Sequence, residues 1–517
     1  MFLFRITRFL QRTALIGGLS AIAFLSAGIV SAQSSAISKT EQLPAPTAFP
    51  EKSQGFAGEM GTSPSGSDVR ILPINLPTAL RLVDASNPTV ALARERINEA
   101  YAHWRQAQLM LLPNLQTGPS YVRHDGLIQN SLGLVFPTSK WNFFEGGGAT
   151  LFVETSDALF APRIARGLLD AQSAEAQGVA NRLQLDAASR YLDLLGAYGA
   201  LAINAETLAN AEQAAAMADQ AVKAQLGKTP ADANRMHTEV NLRRQERLDL
   251  EGRAALASAQ LAQLLLLDAT ADLRPTEPAI VPITLLPVET PLDDLVATGL
   301  MNRPELAESR ALVEAALTRW RQARLGPLFP RLEVDYLAGL FGGGMEDNTQ
   351  RFGGRGDGQA QAVWTLHNLG AGDIAMARVR RSQYNQSNLH VREVETQVAA
   401  EITAAAKVLR ARQRTLMSAQ DAVREAEKAW PIVLKTTFNA TFRPGVAGVQ
   451  RFEALDLLWA ERDLDTARRS YLNEVIEFNR AQFQLYWAMG QPPLESLAKL
   501  TSLPVETPVL PSDKKQK

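Results

Sequence analysis

The stretch 87–109, NPTVALARERINEAYAHWRQAQL, returns 216 residues later as 303–325, RPELAESRALVEAALTRWRQARL. Both copies have a proline at the second position and end in a Trp-Arg-Gln-Ala run, so that Trp104 matches Trp320. This period is far longer than the roughly 20–50 residues of a solenoid repeat. We therefore expect two copies of one half-molecule in a pseudo-symmetric architecture, with both tryptophans packed between helices.

The composition excludes several classes of function. The chain contains no cysteine and has a formal net charge of −1, so we expect no disulfide, no thiolate metal site and no attraction to nucleic acid. The five histidines are scattered without metal-ligand spacing, and no serine nucleophile motif occurs. Asp and Glu lie on predicted helix faces, where solvation or pairing over four residues is their usual role. We predict a protein that is not an enzyme and uses no metal or cofactor.

The first residues predict export from the cytoplasm. Three arginines precede an apolar run over 14–30, and small residues up to Ala32 form a cleavage site. We interpret 1–32 as a secretory signal peptide, with an uncleaved anchor helix as the alternative. Residues 33–73 are rich in Ser, Gly, Pro and Ala without periodicity, which predicts a flexible segment. No later run approaches the roughly 20 apolar residues of a membrane-spanning helix.

Alternating patterns predict two strands in each half. Apolar and polar residues alternate over 151–156, 331–336 and 360–367, which is the period of a strand with one apolar face. The glycine-rich stretch 342–358 follows the first strand of the second half, and we expect an exposed loop there. Aromatic residues near these strands predict part of a membrane-facing belt; they are Trp141, Phe143, Phe144 and Trp364.

Long stretches without proline predict long helices. No proline occurs between Pro162 and Pro230 or between Pro330 and Pro431, and good helix formers dominate there. A helix of about 60 residues is about 90 Å long and needs a bundle or coiled coil of similar length. Each half thus reads as helix, two strands and a long helical hairpin. The predicted divisions are a first repeat at 74–274, a linker at 275–291, a second repeat at 292–492 and a tail at 493–517.

Four strands per chain pose a closure problem. An open sheet edge in lipid leaves backbone groups unpaired, and the smallest membrane barrels use eight strands. The apolar stripes of the long helices need partners as well. We therefore expect a symmetric oligomer whose chains share one barrel and one tube of helices.

Ordered motifs give the sequence a family resemblance. The segment 76–88, LPTALRLVDASNP, is similar to the family's first helix start, and 291–306, PLDDLVATGLMNRPEL, to the start of its second copy. LHNLGAG at 366–372 resembles its passage from strand to helix. GVAG at 445–448, followed by FEAL at 452–455, resembles its helical hairpin tip. Together, these motifs resemble the TolC-like outer membrane efflux protein family.

The resemblance implies an α+β membrane protein that forms a homotrimer. Twelve strands, four per chain, would form one β-barrel in the outer membrane, and twelve helices would continue it as a periplasmic tunnel. The implied role is a passive exit duct. It would dock on a periplasmic adaptor (membrane fusion protein) that links it to an inner-membrane pump of the RND, ABC or MFS type. The alternative is an exported coiled-coil scaffold or periplasmic adaptor that does not insert in the membrane.

The resemblance also assigns the hairpin tips to adaptor docking. The residues concerned are Gly227, Pro230, Arg443, Pro444, Gly445 and Gly448. Their glycines and prolines also serve to reverse the chain. Arg451, Glu453 and Asp456 are the expected residues of the periplasmic entrance. Some relatives carry carboxylates where this chain has Arg451 and Ala454, so we predict a weaker cation preference; an interhelical salt bridge of Arg451 is the alternative.

Overall fold

The computed structural model describes residues 70–224, 229–268, 270–277, 279–438 and 454–492. The predicted signal peptide, nearly all of the predicted flexible segment and the predicted tail lie outside these residues. The helices and strands follow the chain in this order: β1 (Ile71–Ile74), α1 (Leu76–Ser86), α2 (Pro88–Gln108), β2 (Asn114–Gln129), β3 (Val135–Glu154), α3 (Thr155–Lys223), α4 (Pro230–Leu265), β4 (Asp272–Pro275), α5 (Leu292–Asn302), α6 (Pro304–Leu325), β5 (Arg331–Met345), β6 (Asn348–Val363), α7 (Ala371–Phe438) and α8 (Ala454–Ala488).

The two halves contain matching helices, as the sequence repeat predicted. α3 has 69 residues and its counterpart α7 has 68, while α4 has 36 and α8 has 35. At 1.5 Å per residue, α3 and α7 are each about 100 Å long. None of the described helices combines the length and the hydrophobicity that a membrane-crossing helix needs.

Local signals in the sequence determine where the helices begin. The Asn87 side chain precedes Pro88 and accepts a hydrogen bond of 2.9 Å from the backbone N–H two residues on. Thr229 precedes Pro230 and forms a capping box with Asp232. These side chains satisfy backbone groups that the first helical turn leaves without partners. Proline is tolerated at the first position because its missing N–H has no acceptor in the helix.

One antiparallel sheet contains strands from both halves, in the order β2-β3-β5-β6. β2 and β3 form one hairpin, and β5 and β6 form the other. The pairing of β3 with β5 joins the two halves. β2 and β6 are the edges of this sheet, and each pairs with only one strand in the described part of the chain.

The glycine-rich stretch 342–358 is strand, so the prediction of an exposed loop was wrong. β5 and β6 continue through this stretch and are separated by a two-residue turn, in which Glu346 has a φ of 52°. The glycines of β5 are needed because neighbouring strands approach them closely, whereas Gly353 and Gly354 of β6 have open space around them. A Cβ on Gly343 would lie 2.2 Å from the backbone oxygen of Trp141 on β3. Glycine marks close strand approach here rather than a loop.

Two of the three apolar cores among the described residues draw on both halves. One core contains Tyr191 and Leu261 of the first half together with Phe483 of the second. Another lies near the starts of α4 and α8 and contains Met236 of the first half and Leu457 of the second. The two halves therefore pack as one unit rather than as separate domains.

Two segments between the helices are more ordered than the sequence suggested. Residues 71–73, expected at the end of the flexible segment, form part of β1, which pairs in parallel with β4. The predicted linker 275–291 is tied to α8, where the Asn479 side chain accepts a hydrogen bond of 2.7 Å from the Ile283 backbone N–H. Such contacts satisfy backbone groups of a segment that has little secondary structure of its own.

Candidate transport site: a two-faced sheet and the end of the helical bundle

The strand register gives the four-stranded sheet one mainly apolar and one mainly polar face, most clearly in the rows near the helices. Cross-strand neighbours point to the same side of a sheet, and successive rows alternate. Two adjacent rows show this alternation: Leu151, Val334 and Ala360, followed by Thr150, Asp335 and Gln359. In the polar row, the Thr150 hydroxyl donates a hydrogen bond of 2.8 Å to the Asp335 carboxylate. A sheet with these two faces is suited to separating an apolar medium from water.

Aromatic rings occupy the apolar face around the middle of β2 and β3. The Trp141 ring lies 6.0 Å from the Tyr121 ring, and Phe143 shares their face. Phe144 belongs to the next row and therefore points to the polar face. Trp364 follows the last residue of β6. Of the four residues suggested for an aromatic belt, Trp141 and Phe143 thus share the apolar strand face.

The polar face carries charged side chains at the end near the helices and at the middle of the strands. At the end near the helices, the Arg331 guanidinium lies 5.1 Å from the centroid of the Phe152 ring. Near the middle of β6, the Arg355 guanidinium lies 4.6 Å from the Phe341 ring centroid, and its Nε lies 2.7 Å from the Asp357 carboxylate. Charged groups need water or a partner, so this face is suited to line an aqueous space.

The apolar face is uncovered in the single chain. Leu115 on β2 is 83% exposed, and Tyr336 on β5 is 58% exposed. A contiguous apolar surface of this kind marks a contact with lipid or with another molecule. The outer edges of β2 and β6, which have no partner strand among the described residues, present backbone N–H and C=O groups to further strands. The sheet is thus built to be covered and extended.

Most of the predicted docking and entrance residues lie outside the described part of the chain: Gly227, Arg443, Pro444, Gly445, Gly448, Arg451 and Glu453. Pro230 is described and begins α4. Asp456 is described in the first turn of α8, where it is half-buried. The docking and entrance roles of all these residues stay predictions.

A buried group of charges near the starts of α4 and α8 was missed by the sequence reasoning. The Arg243 guanidinium lies 2.9 Å from both the Glu239 and the Asp465 carboxylates. Burial lowers the pKa of Arg243, but these carboxylates outweigh it and raise that pKa above its usual value. The four-residue spacing of Glu239 and Arg243 is visible in the sequence. Asp465 lies in the other half of the chain, so no local pattern indicates its contact.

Comparison with known proteins bears on the fold. No family model and no curated protein matches the sequence. The outer-membrane channel OprN matches with 18% identity and a TM-score of 0.66, over 81% of this chain and 90% of that one. The outer membrane protein VceC from Vibrio cholerae is 16% identical, with a TM-score of 0.64 over 80% of this chain and 96% of VceC. The CmeC outer membrane channel of Campylobacter jejuni is 14% identical, with a TM-score of 0.64 over 83% of this chain and 88% of CmeC.

These matches concern architecture, because sequence identity this low does not carry function from one protein to another. They extend over about four fifths of the chain, which is more than one repeat contains, so they reach into both repeats. The matching proteins are described as outer-membrane channels or as an outer membrane protein. The chain therefore has the fold of these outer-membrane channels, which is the fold that the TolC-like resemblance implied.

Proposed function

We propose that this chain is a subunit of an outer-membrane channel, a passive exit duct for compounds driven by an inner-membrane pump. The observation that carries the proposal is a four-stranded sheet with one apolar face, one polar face and two edges open to further strands. A water-filled barrel uses each feature. Lipid contacts the apolar face, water contacts the polar face, and neighbouring chains pair with the edges.

Three copies of the chain would close such a barrel. Four strands from each copy give twelve, which exceeds the eight of the smallest membrane barrels. The helices α3, α4, α7 and α8 of three copies would continue it as a tunnel of twelve helices in the periplasm. Apolar side chains left exposed on α7, such as Leu389, support a homotrimer because they need a covering surface.

The partners would bind where α4 and α8 begin. The predicted docking tips precede these helices in the sequence, so a periplasmic adaptor would contact this end of the bundle and connect it to the pump. The chain has no cysteine, which makes the test direct. A Gly445→Cys variant carrying a photo-crosslinker should capture the adaptor in intact cells, whereas a control cysteine at exposed Asp357 of the sheet should not.

The alternative of an exported scaffold or adaptor that never inserts is less well supported. An adaptor should contain one helical hairpin flanked by small β domains. The described chain instead contains two helical hairpins that share one four-stranded sheet with an uncovered apolar face. This arrangement favours the channel.

The membrane location and the conductance can be tested together on the full chain. We expect the mature protein to pellet with outer membranes, to run as a trimer in detergent and to give stable single-channel currents in planar bilayers. The matched control is Gly339→Val, because a Cβ at Gly339 would lie 2.3 Å from the backbone oxygen of Glu145 on the paired strand. This variant should give no current. A wild-type protein that is a soluble monomer without current would contradict the proposal.

A further inference from the structure

Glu461 is a carboxylic acid buried inside the helical bundle. The residue is 2% exposed and lies on α8, seven residues after the first described residue of that helix. Its Oε1 atom is buried without a hydrogen-bond partner. A buried carboxylate without partners is costly, so the protonation state of this group matters for the packing around it.

The neighbouring charges leave Glu461 as the surplus acid. Three guanidinium groups engage the other carboxylates at N···O distances of 2.6–3.0 Å. The pairs are Arg243 with Glu239, Glu246 and Asp465, Arg462 with Glu239, and Arg469 with Glu246 and Asp465. With Glu461 the group holds four carboxylates and three guanidinium groups. Among the described residues, Glu461 is its one member without an ion pair, so the group is electrically neutral when Glu461 is protonated.

The other elements packed here form no ion pair with Glu461 within the described residues. From α3, Thr207 donates a hydrogen bond to Asp465, and Asn204 donates one to Glu246. Among the nearby charges of α3 and α7, Glu206 and Glu427 pair with Arg468, and Glu212 pairs with Arg244. Lys223 of α3 and Lys435 of α7 are exposed. α7 adds Trp430 to the apolar core beside the group.

This environment favours the neutral acid near neutral pH. Burial is the largest cause, and with the Glu239 and Asp465 charges it outweighs Arg243 and Arg462 and raises the pKa of Glu461 to about 7, from a usual 4.5. The folded protein therefore holds the proton more tightly than the unfolded chain does. The contribution of this proton to the stability of the folded protein is complete below pH 4.5 and declines as pH rises toward 7. It is lost above 7, where a charge is buried without a partner.

We propose that the protonation of Glu461 controls how tightly α8 is held against α3 and α4, near the end of the bundle where α4 and α8 begin. Protonated Glu461 keeps the three helices together, and ionised Glu461 loosens their contact. If the chain forms the proposed duct, this is the end that carries its entrance, so the regulatory role rests on the proposed function. The response of the helices to pH does not depend on the proposed function.

The test measures the distance between α4 and α8 in the purified full-length protein. Spin labels are placed on cysteines introduced at Thr238 of α4 and Thr466 of α8, both of which are exposed, in a chain that has no native cysteine. Double electron–electron resonance then compares the distance between the two labels at about pH 5.5 and about pH 8.5, on either side of the expected transition. We expect a narrow distance distribution at the lower pH and a broader or longer one at the higher pH.

Two variants on the same helix separate Glu461 from other acids. Glu461→Gln keeps the shape but stays neutral, so its distribution should remain narrow at both pH values. Asp463→Asn removes an exposed carboxylate two residues away and should behave like the wild type. The proposal is overturned if the wild-type distance does not change with pH, or if Glu461→Gln changes as the wild type does.

Bilayer recordings on the same preparations distinguish the two proposals. Currents combined with a pH-independent distance would overturn the role of Glu461 and leave the channel in place. A pH-dependent distance without currents would support the role of Glu461 and contradict the channel. Currents whose open probability follows the same pH dependence, and which lose it in Glu461→Gln, support both.

Discussion

α3 and α7 occupy matching places in the two repeats, yet other helices cover α3 more completely than α7. α3 packs against α2, α4, α6 and α8, and Leu159 is its one large apolar residue that is exposed in the described structure. α7 packs against α5, α6 and α8. Its exposed apolar residues are Ile374, Met376, Val379, Leu389, Val408, Met417 and Ile432.

This difference shows that the duplication determined the fold of each half but not its surroundings. α3 lies between the halves and is covered by helices of both. α7 has the same length, but its uncovered apolar residues need another surface. In the proposed trimer that surface is a neighbouring chain. α3 would then stabilise the interior of one subunit, and α7 would stabilise the contact between subunits.

The sixth residue of each helix offers the largest test of this comparison. Phe160 on α3 is 5% exposed, and its ring packs edge-on at 6.4 Å from the Phe329 ring. Met376 on α7 is 50% exposed. We expect Phe160→Ala to lower the free energy of unfolding by about 3–5 kcal/mol, because it leaves a cavity inside one chain.

Denaturant unfolding in detergent at several protein concentrations measures this effect. The loss from Phe160→Ala should not depend on concentration. Met376→Ala serves as the matched variant, and its loss should grow as concentration rises and then level off, because it acts through assembly. Equal losses with the same concentration dependence would remove the distinction between α3 and α7.

Sequence reasoning recovered the helices well because their signals are local. Pro88 and Pro304 mark the starts of α2 and α6, and long stretches without proline mark α3 and α7. The sequence did not show which long helix is covered. Burial depends on contacts between the halves, whereas both helices have the composition of good helix formers.

The strands and the buried charges were harder to predict for related reasons. Gly343 lies on a strand because a neighbouring backbone comes too close for a side chain, and such an approach exists only in the folded sheet. Glu461 was overlooked because a single Glu among helical charges reads as solvated. Glu461 is surrounded by residues of the first half, such as Arg243 and Glu239. Arg243 already pairs with other carboxylates, so Glu461 has no ion pair of its own in the described structure.

A charge on the exposed stripe of α7 gives the second test, of intermediate size. Leu389 is 63% exposed in the single chain. If a neighbouring chain covers it, burial contributes about 1.5–3 kcal/mol per subunit, so Leu389→Asp should weaken the trimer at least tenfold per contact. Native mass spectrometry over a dilution series measures this. Glu393→Gln, one turn further on and exposed, should leave the trimer intact, and an equally intact Leu389→Asp trimer would argue against α7 as the subunit contact.

The matched tryptophans give the prediction with the smallest expected effect, a difference in side-chain contacts between the two repeats. The Trp320 ring of α6 stacks on the Tyr384 ring of α7 at 5.9 Å and 13°. The Trp104 ring of α2 lies 5.4 Å from the Arg166 guanidinium of α3. Double-mutant cycles on unfolding should give a coupling of about 0.5–1.5 kcal/mol for the stacked rings and about 0.5–1 kcal/mol for the cation–π pair.

Salt then separates the two couplings. An interaction with an exposed charge is screened at high ionic strength, so the Trp104–Arg166 coupling should fall between low salt and about 1 M salt. The stacked pair of Trp320 and Tyr384 contains no charge, and its coupling should hold. Equal salt sensitivity in the two cycles would mean that the repeats use the same contact at this position. In that case α3 and α7 would differ only in how much of their surface other helices cover.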